Sequence, residues 1–277
     1  MISETKDDRI HLENGDVEIL ADELEDTMGI VLDDDNCVDK NIITIDDLHN
    51  MMIKYFSAEH WYPLIENKGI TMKSVLIPLS DEQVRKIIEN ENCPEFNAYI
   101  KEFTTDKVFV KLSSVSPKDV EVPYASTSEK IVSLLSNSPR TLSALKNNHW
   151  KQYLFLRECW DFIPDMPEFR VFVTSRLCVA ISQNNLVGCK RNKNYMKKII
   201  VEFTKSVINL LWYQDCTIDV CYDEITDAVF LIEINTPYYL VASTVLYNVE
   251  SLTDEFILKG KFYDGYGTDI RFANSTI

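Results

Sequence analysis

Residues 216–236, CTIDVCYDEITDAVFLIEINT, combine two segments that alternate apolar and polar side chains. The first segment places Asp219 on the face opposite its aliphatic residues, and the second does the same with Glu233 and Asn235. Alternation with a period of two is typical of half-buried strands, and the short connection predicts an antiparallel hairpin. A turn centred near Thr226 places Asp219 directly opposite Glu233. The two predicted strands are Cys216–Tyr222 and Phe230–Thr236.

The acidic and amide side chains of this hairpin allow two interpretations. Like charges directly opposite each other in a sheet repel, so a solvated outer face is the simpler interpretation. A divalent cation bound between Asp219 and Glu233 would instead turn the repulsion into a binding site, with Asn235 as a third oxygen ligand. Oxygen ligands suit Mg²⁺, which usually keeps several waters and binds substrate phosphates.

The rest of the chain is predicted to be mixed α+β, with antiparallel hairpins and helices between them. Short alternating or apolar runs predict five further strands. They are Ser74–Pro78, Lys107–Ser113, Tyr153–Leu156, Glu168–Val173 and Leu177–Gln183. The last two strands are predicted to form a hairpin around residues 174–176.

Helices are predicted from apolar side chains at helical spacing and from capping residues. Two predicted helices begin with the pattern of a capping box, Ser80–Gln83 and Ser126–Glu129. The second box opens a helix over Lys130–Leu135, and Pro139 ends it. Two more helices are predicted, one capped by Thr44 and one, the longest, over Asn192–Tyr213.

The net charge of −16 is concentrated at the start of the chain. Residues 1–47 hold 16 acidic and three basic residues, which leaves a balance of only −3 for the rest. Nucleic-acid binding is therefore not expected, because it needs a cationic surface. The acidic segment, residues 1–43, is interpreted either as a solvated tail or as a contact for a basic protein partner. Residues 44–277 are predicted to form the folded domain.

Several classes of function are disfavoured because their motifs are missing. The seven glycines form no G-x-G-x-x-G or G-x-x-x-x-G-K loop, and neither H-E-x-x-H nor G-x-S-x-G occurs. The seven cysteines form no C-x-x-C pair and are interpreted as free thiols of a reducing compartment. Without an export signal or an apolar run long enough to span a membrane, we expect a cytoplasmic protein with no membrane partner.

Three cationic side chains lie within predicted strands. Lys111 fits either an exposed sheet edge or a phosphate-binding lysine, whose ammonium group on a strand is a fixed point charge. Arg157 and Arg170 lie in strongly apolar surroundings, where an unpaired charge is costly. Salt bridges to Glu158 or Glu168 would account for them, and so would an anionic ligand.

Five stretches, in order along the chain, resemble the cell division cycle protein 123 family, also called the D123 family. They are FSAEHWYPLIENKGITMKSVLIPLSDE, VFVKLSSVSPKDV, YLFLRECWDFIPDMPEFRVFV followed by LCVAISQ, IDVCYD with LIEINTP, and TVLYNVESL. The likeness covers roughly residues 55–258. Five motifs in the family's order, at compatible spacing, make the resemblance specific.

The resemblance implies an ATP-grasp-like α+β fold, with two lobes of mostly antiparallel sheet, flanking helices and a nucleotide between the lobes. The lobes would span about residues 44–150 and 151–277. The family resembled here assists the assembly of eukaryotic translation initiation factor 2. The implied function is an assembly chaperone that binds ATP and Mg²⁺ and has the gamma subunit of that factor as its partner.

The resemblance also implies roles for individual residues. The residues implied to contact ATP are Lys111, Ser113, Ser114, Ser116, Asp119, Arg157, Glu168, Arg170, Ser182 and Gln183. Those implied to hold Mg²⁺ are Asp219, Glu233 and Asn235. Within the first set, Lys111 and the two arginines would contact phosphates.

The chain departs from the family pattern at some of these positions. Ser113-Ser114 replaces an Asn-Trp pair, and Asn184-Asn185 replaces an Arg-Asp pair. Glu233 replaces an aspartate, although it remains a hard oxygen donor. The resemblance to ATP-grasp proteins leaves a ligase that acts through an acyl-phosphate as one alternative. The departures themselves motivate the other alternative, a divergent binding protein with reduced ATP turnover.

Overall fold

The computed structural model describes residues 51–120, 123–147, 150–159, 166–185, 187 and 192–237, together with short strands at 16–17, 43–44 and 269–271. Two units are distinguished, Met1–Met52 and Ile53–Ile277. In the first unit, β1 (Asp16–Val17) pairs antiparallel with β2 (Ile43–Thr44). Most of the predicted acidic segment lies outside the described residues. Thr44, the predicted helix cap, lies in β2; residues 45–50 are outside the described part, and residues 51–55 are helical.

The first sheet of the second unit has four strands in the order β3–β6–β4–β5, and all neighbours are antiparallel. Its strands are β3 (Ser74–Pro78), β4 (Val108–Leu112), β5 (Tyr124–Ala125) and β6 (Tyr153–Glu158). Three of the four are confirmed predictions, whereas the short β5 is not predicted by the sequence. The boundary between the two lobes is predicted near residue 150. β6 comes after that residue in the chain, yet it is an inner strand of this first sheet.

The second sheet has five strands in the order β10–β9–β7–β8–β11. They are β7 (Glu168–Thr174), β8 (Leu177–Gln183), β9 (Cys216–Asp223), β10 (Ala228–Asn235) and β11 (Asp269–Arg271). All neighbours are antiparallel except β8 and β11, which are parallel. The two predicted hairpins, β7–β8 and β9–β10, are confirmed. The predicted α+β class with mostly antiparallel sheets is confirmed with them.

Helices connect and cover these strands. They are α1 (Ala58–Ile65), α2 (Asp81–Ile88), α3 (Phe96–Ile100), α4 (Ser128–Ser136), α5 (Pro139–Asn147) and α6 (Lys193–Ile208). The capping box predicted for α2 is confirmed, because Ser80 and Gln83 each accept the backbone N–H of the other with their side chains. Among the described helices, none has the length and apolar character needed to cross a membrane.

The second predicted capping box is wrong. α4 begins at Ser128 with Thr127 as its N-cap, not Ser126, and the Thr127 hydroxyl accepts the backbone N–H of Lys130. A tertiary contact selects this start, because the Ser128 N–H donates to Asn97 Oδ1 at 2.9 Å. The contact joins distant parts of the chain and therefore leaves no local sequence pattern.

Two helix ends also differ from the prediction. Pro139 follows the end of α4 as expected, but it also begins α5, since the first turn of a helix needs no N–H from proline. α6 ends at Ile208 rather than at Tyr213. The guanidinium group of Arg176 donates to the carbonyls of Ile208, Leu211 and Tyr213, so a side chain from the β7–β8 turn satisfies this helix end.

The four-stranded sheet has one apolar face and one mixed face. The apolar face packs against α2, α3, α4 and α5, and Val110, Leu154 and Leu156 lie at its centre. Because side chains alternate along a strand, Phe109, Lys111 and Arg157 lie on the opposite, mixed face. The candidate site is built on this mixed face.

Candidate functional site

A β-bulge in the β9–β10 hairpin brings two acidic residues face to face. The ladder is regular from the turn as far as Leu231, and then its register shifts. Beyond the shift Glu233 pairs with Asp219, while Ile232 has no partner in the ladder. Without the shift, Glu233 would lie opposite Ile218 on the other face of the sheet. The predicted pairing of Asp219 with Glu233 is confirmed, and the bulge is its physical cause.

Asp219 is held by two side chains of its own sheet. Arg170, its register neighbour on β7, donates from Nε to Oδ1 and from Nη2 to Oδ2, both at 2.7 Å. Asn235 donates from Nδ2 to Oδ2 at 3.0 Å. Burial alone would lower the pKa of Arg170, but the Asp219 carboxylate, together with Glu233 and Glu168, raises it above its ordinary value. The two parallel hydrogen bonds make this a bidentate, geometrically specific ion pair.

Glu233 is bound by a cation from the other sheet. Lys111 is buried in β4, and its Nζ donates to Glu233 Oε1. Burial alone would raise the pKa of Glu233, but the Lys111 ammonium group lowers it. Lys111 is buried, so its interpretation as part of an exposed sheet edge is wrong.

Arg157 is also buried, with 5% of its surface exposed, and it reaches across to β10. Its hydrogen-bond partners are Ser74 Oγ, Thr71 Oγ1 and the backbone carbonyls of Leu231 and Ile232. Burial lowers the pKa of Arg157 to about 10, against the opposing effect of Glu233. The salt bridges considered for the two arginines, to Glu158 or Glu168, are therefore not the ones formed: Arg157 bonds to neutral groups and Arg170 to Asp219.

A cavity of about 310 Å³ lies between the mixed face of the four-stranded sheet and the edge of the five-stranded sheet that carries these groups. This volume is at the lower end of the range for small-molecule sites. The four-stranded sheet and its loops contribute Phe109, Lys111, Ser116, Pro117, Lys118, Pro123, Tyr124 and Arg157. The five-stranded sheet contributes Glu168, Asn184, Asp219, Ile232 and Glu233, and the remaining lining residues are Met72, Glu158 at the end of β6, and Cys159.

Glu168 is a further carboxylate in the cavity wall, and its environment differs from that of Glu233. Burial raises the pKa of Glu168, and the nearby Asp219 carboxylate raises it further. The Lys118 and Arg170 charges oppose this rise without cancelling it. The surroundings of Glu168 thus disfavour its carboxylate form.

The residues implied to contact ATP fall into two groups. Lys111, Ser116, Arg157 and Glu168 lie in the cavity wall, and Arg170 lies next to it on Asp219. The other five have different positions: Ser113, Ser114, Asp119, Ser182 and Gln183. For these five, ATP contact stays a prediction.

Asp119 makes hydrogen bonds within the fold, and Ser182 and Gln183 of β8 lie on different faces of their sheet. Asp119 binds the start of α5, accepting from Ser138 Oγ at 2.5 Å and from the Arg140 N–H at 3.1 Å. Ser182 and Gln183 are consecutive in β8, so their side chains leave the sheet on opposite faces. Arg170 pairs with Ser182 in the ladder, which places Ser182 on the cavity face and Gln183 on the far one.

Ser113 and Ser114, which follow Lys111 in the chain, also make hydrogen bonds within the fold. Ser113 donates its N–H to the Tyr153 carbonyl at 2.9 Å and accepts the Ala58 N–H at 3.0 Å. Ser114 Oγ donates to Gln152 Oε1 at 3.4 Å. These bonds connect β4 to α1 and to the start of β6.

Sequence reasoning missed several lining residues. Phe109 and Tyr124 are register neighbours with ring centroids 5.9 Å apart. The position of Phe109, two residues before Lys111 in the same strand, was the available signal for one of them. Lys118 and Met72 lie outside the strands, and no periodicity marks residues of a loop.

The predicted metal ligands are brought together, although they do not form a cluster of acidic residues alone. In the described residues there is no group of three or more His, Cys, Asp or Glu side chains placed to hold a metal ion. Asp219 and Glu233 supply carboxylate oxygens, and Asn235, bonded to Asp219, supplies an amide oxygen. Such hard oxygen donors fit Mg²⁺ by their chemistry, and the adjacent cations fit the phosphates that usually accompany it.

The fold and the site define a class of protein. It is an α+β protein in which one cavity, lined by cations and carboxylates, lies between two mostly antiparallel sheets. Within that class the family follows from the sequence. The D123 family matches residues 78–264, which is more than half of the chain, so this protein belongs to the D123 family.

Individual relatives agree with this assignment. A CDC123-like protein of Acanthamoeba polyphaga mimivirus is 24% identical, and the match covers 75% of either chain. The structure of Cdc123 from Schizosaccharomyces pombe gives a TM-score of 0.61 at 21% identity, covering 73% of this chain and 91% of that one. Its C-terminally truncated form gives 0.60 at 21% identity, covering 80% and 96%. The likeness to these structures shows a shared fold.

Proposed function

We propose that the cavity between the two sheets binds ATP together with Mg²⁺. The observation that carries the proposal is the convergence of Lys111 and Arg170 with Asp219 and Glu233 at one cavity, each cation already bonded to a carboxylate. Buried ion pairs of this kind are costly unless every charge is compensated. A polyphosphate with a divalent cation supplies charges of both signs. It can therefore compensate the cationic side chains and the carboxylates at the same time.

The residues would have complementary roles with the ligand. Lys111 and Lys118 would donate to phosphate oxygens, as compact point charges. The Mg²⁺ would be held by Asp219, Glu233 and Asn235, and it would screen the repulsion between nucleotide and carboxylates.

The planar base of the nucleotide would fit the aromatic wall that Phe109 and Tyr124 offer. Arg170 would keep Asp219 oriented through its two hydrogen bonds.

We further propose that the protein acts as a cytoplasmic assembly chaperone for the gamma subunit of eukaryotic translation initiation factor 2. Membership of the D123 family supports this proposal. The concentration of acidic residues in residues 1–47 supports an electrostatic contribution to partner association, since complementary charge speeds encounter.

Calorimetric titration tests the nucleotide site. The wild-type chain is expected to bind Mg-ATP, and Lys111→Met is expected to weaken binding by about 10- to 100-fold, the loss of one charged hydrogen bond. The matched control is Lys130→Met, which removes the same charge from an exposed position in α4. Absence of heat or competition signal with the wild type, or equal losses in both variants, would contradict the proposal.

Affinity capture with the purified gamma subunit tests the partner. Capture by the wild-type chain, strengthened by Mg-ATP, is the expected result. ADP release accompanied by a mass adduct on the subunit would favour the ligase alternative instead. Failure to capture the subunit, with or without nucleotide, would exclude the chaperone function for this client.

A further inference from the structure

Arg157 has a different set of contacts from the other cations of the cavity. Lys111 and Arg170 bond to carboxylates, whereas Arg157 makes four hydrogen bonds to uncharged oxygens. A guanidinium group has five N–H donors in a rigid planar fork, so these bonds use most of its capacity. Arg157 is therefore poorly placed to act mainly as a phosphate ligand.

The bonds of Arg157 converge on the bulge of β10. Its Nη1 donates to the Ile232 carbonyl, and its Nη2 donates to the Leu231 carbonyl at 3.4 Å. These carbonyls belong to the unpaired residue of the bulge and to the residue before it. A bulge disrupts the ladder locally, so its polar groups need other partners.

The same group is anchored on the four-stranded side. Nε donates to Ser74 Oγ at 3.2 Å and Nη2 donates to Thr71 Oγ1 at 2.8 Å. Thr71 in turn donates its hydroxyl to the Leu231 carbonyl at 2.8 Å, and Leu231 donates its N–H to the Ile70 carbonyl at 2.8 Å. Backbone and side-chain hydrogen bonds thus connect the bulge to residues 70–74, with Arg157 at their centre. This set of hydrogen bonds from Arg157 and residues 70–74 to the bulge is the clamp.

We propose that Arg157 is a positioning residue, which fixes the β10 bulge and thereby keeps Glu233 on the cavity face, opposite Asp219. The register explains why such a residue is needed. A ladder without the bulge would turn Glu233 to the face that does not line the cavity, and would bring Ile232 opposite Asp219. Lys111 would then lose its carboxylate, and the carboxylate pair at the cavity would be lost.

Two kinds of measurement test this role, and only the second rests on the proposed function. The variants are Arg157→Lys, which keeps the charge but not the fork, and Arg157→Met, which removes both. Arg176→Lys is the matched control, because Arg176, like Arg157, donates to backbone carbonyls, but at the end of α6 rather than at the bulge.

The first measurement is amide hydrogen exchange in the ligand-free protein. Arg157→Lys is expected to speed exchange in residues 228–237 by about tenfold, since it releases the clamp on the bulge. Exchange in residues 168–183 should change little, and Arg176→Lys should leave residues 228–237 unchanged. Thr71→Val, which removes one link of the clamp, serves as the milder variant if the Arg157 variants do not fold. If Arg157→Lys, Arg157→Met or Thr71→Val folds and its exchange in residues 228–237 is unchanged, the proposal is overturned.

The second measurement is a double-mutant cycle on Mg-ATP affinity with Arg157→Lys and Glu233→Gln. If Arg157 acts through Glu233, Arg157→Lys should weaken binding by about tenfold in the wild type and by less than about twofold beside Glu233→Gln. Additive losses would show that Arg157 contacts the phosphates directly and would overturn the positioning role. If the wild-type chain binds no Mg-ATP, the proposed function fails, while hydrogen exchange still decides the role of Arg157.

Discussion

The two sheets contribute different balances of charge to the cavity that they share. The four-stranded sheet and its loops contribute Lys111, Lys118 and Arg157 with one carboxylate, Glu158, whereas the five-stranded sheet contributes the carboxylates of Glu168, Asp219 and Glu233. The five-stranded sheet also carries its own cation, Arg170, and neutralises Asp219 internally. It cannot do the same for Glu233, whose described ion pair is with Lys111 of the other sheet.

This difference separates two kinds of ion pair. Arg170 and Asp219 face each other in a β-ladder, so the sheet itself fixes their distance. Lys111 and Glu233 are 122 residues apart, and only the packing of one sheet on the other brings them together. We therefore expect the first pair to act mainly in the stability of the fold. The second pair can be exchanged for a ligand with less damage.

The largest predicted effect is on the pair within the sheet. Asp219→Asn leaves Arg170 buried without its carboxylate, which is expected to lower the free energy of unfolding by about 3 kcal/mol. Chemical denaturation at neutral pH measures the loss.

Asp223→Asn is the matched control, because it makes the same change at the end of the same strand. Asp223 accepts the Ile225 N–H at 2.8 Å, a bond that asparagine can keep, so the expected loss is below about 1 kcal/mol. Equal losses in the two variants would mean that the bidentate pair contributes no more than a turn residue.

The sequence predicted the Asp219–Glu233 pairing, but not the way in which the chain achieves it. The strand alternation and the short connection identified the hairpin, and a turn centred near Thr226 gave the correct pair. In the structure the first pair after the turn is Asp223 with Ala228, which centres the turn half a residue earlier. The bulge at Ile232 then restores the predicted partner. Alternation cannot reveal a bulge, because the bonds that hold this one come from Arg157 and Thr71, far away in sequence.

Predictions of local structure succeeded where the cause was local. The capping box of α2 needs only Ser80 and Gln83, and it is present as predicted. The start of α4 and the end of α6 depend on Asn97 and Arg176, which lie in other elements. The site shows the same division: strand residues such as Lys111 could be identified from their pattern, whereas loop residues such as Lys118 could not.

A smaller effect is predicted for the pair between the sheets. Lys111→Met leaves Glu233 partly buried without its cation, with an expected loss of about 1–3 kcal/mol of unfolding free energy. In Lys111→Met/Glu233→Gln both charges are gone, so the loss should be smaller than the sum of the single variants by about 1 kcal/mol. Denaturation of all four proteins gives this coupling energy. Strict additivity would show that the two side chains do not interact in solution, and it would remove the contrast with the pair inside the sheet.

The smallest predicted effects concern the pH dependence of stability, which should have opposite signs for two carboxylates of one sheet. Burial raises the pKa of Glu168 above its ordinary value of 4.5, so the folded state holds that proton more tightly. Its contribution to stability therefore falls as pH rises from about 4.5 through the higher folded value. Burial alone would raise the pKa of Glu233, but Lys111, with smaller effects of Lys118 and Arg157, lowers it. The contribution of Glu233 to stability is therefore present above pH 4.5 and is lost as pH falls through the lower folded pKa.

Denaturation curves across the acid range, for the wild type, Glu168→Gln and Glu233→Gln, measure both signs. Relative to wild type, Glu168→Gln should gain stability as pH rises above 4.5, because glutamine has no proton to lose. Glu233→Gln should lose its deficit as pH falls from 4.5 through the lower folded pKa of Glu233, because wild-type Glu233 then becomes neutral as well. If the stability of both variants, relative to wild type, changed in the same direction with pH, Lys111 would not cause a difference in pKa between Glu168 and Glu233. The division of charge between the sheets would then have no effect on the protonation of the site.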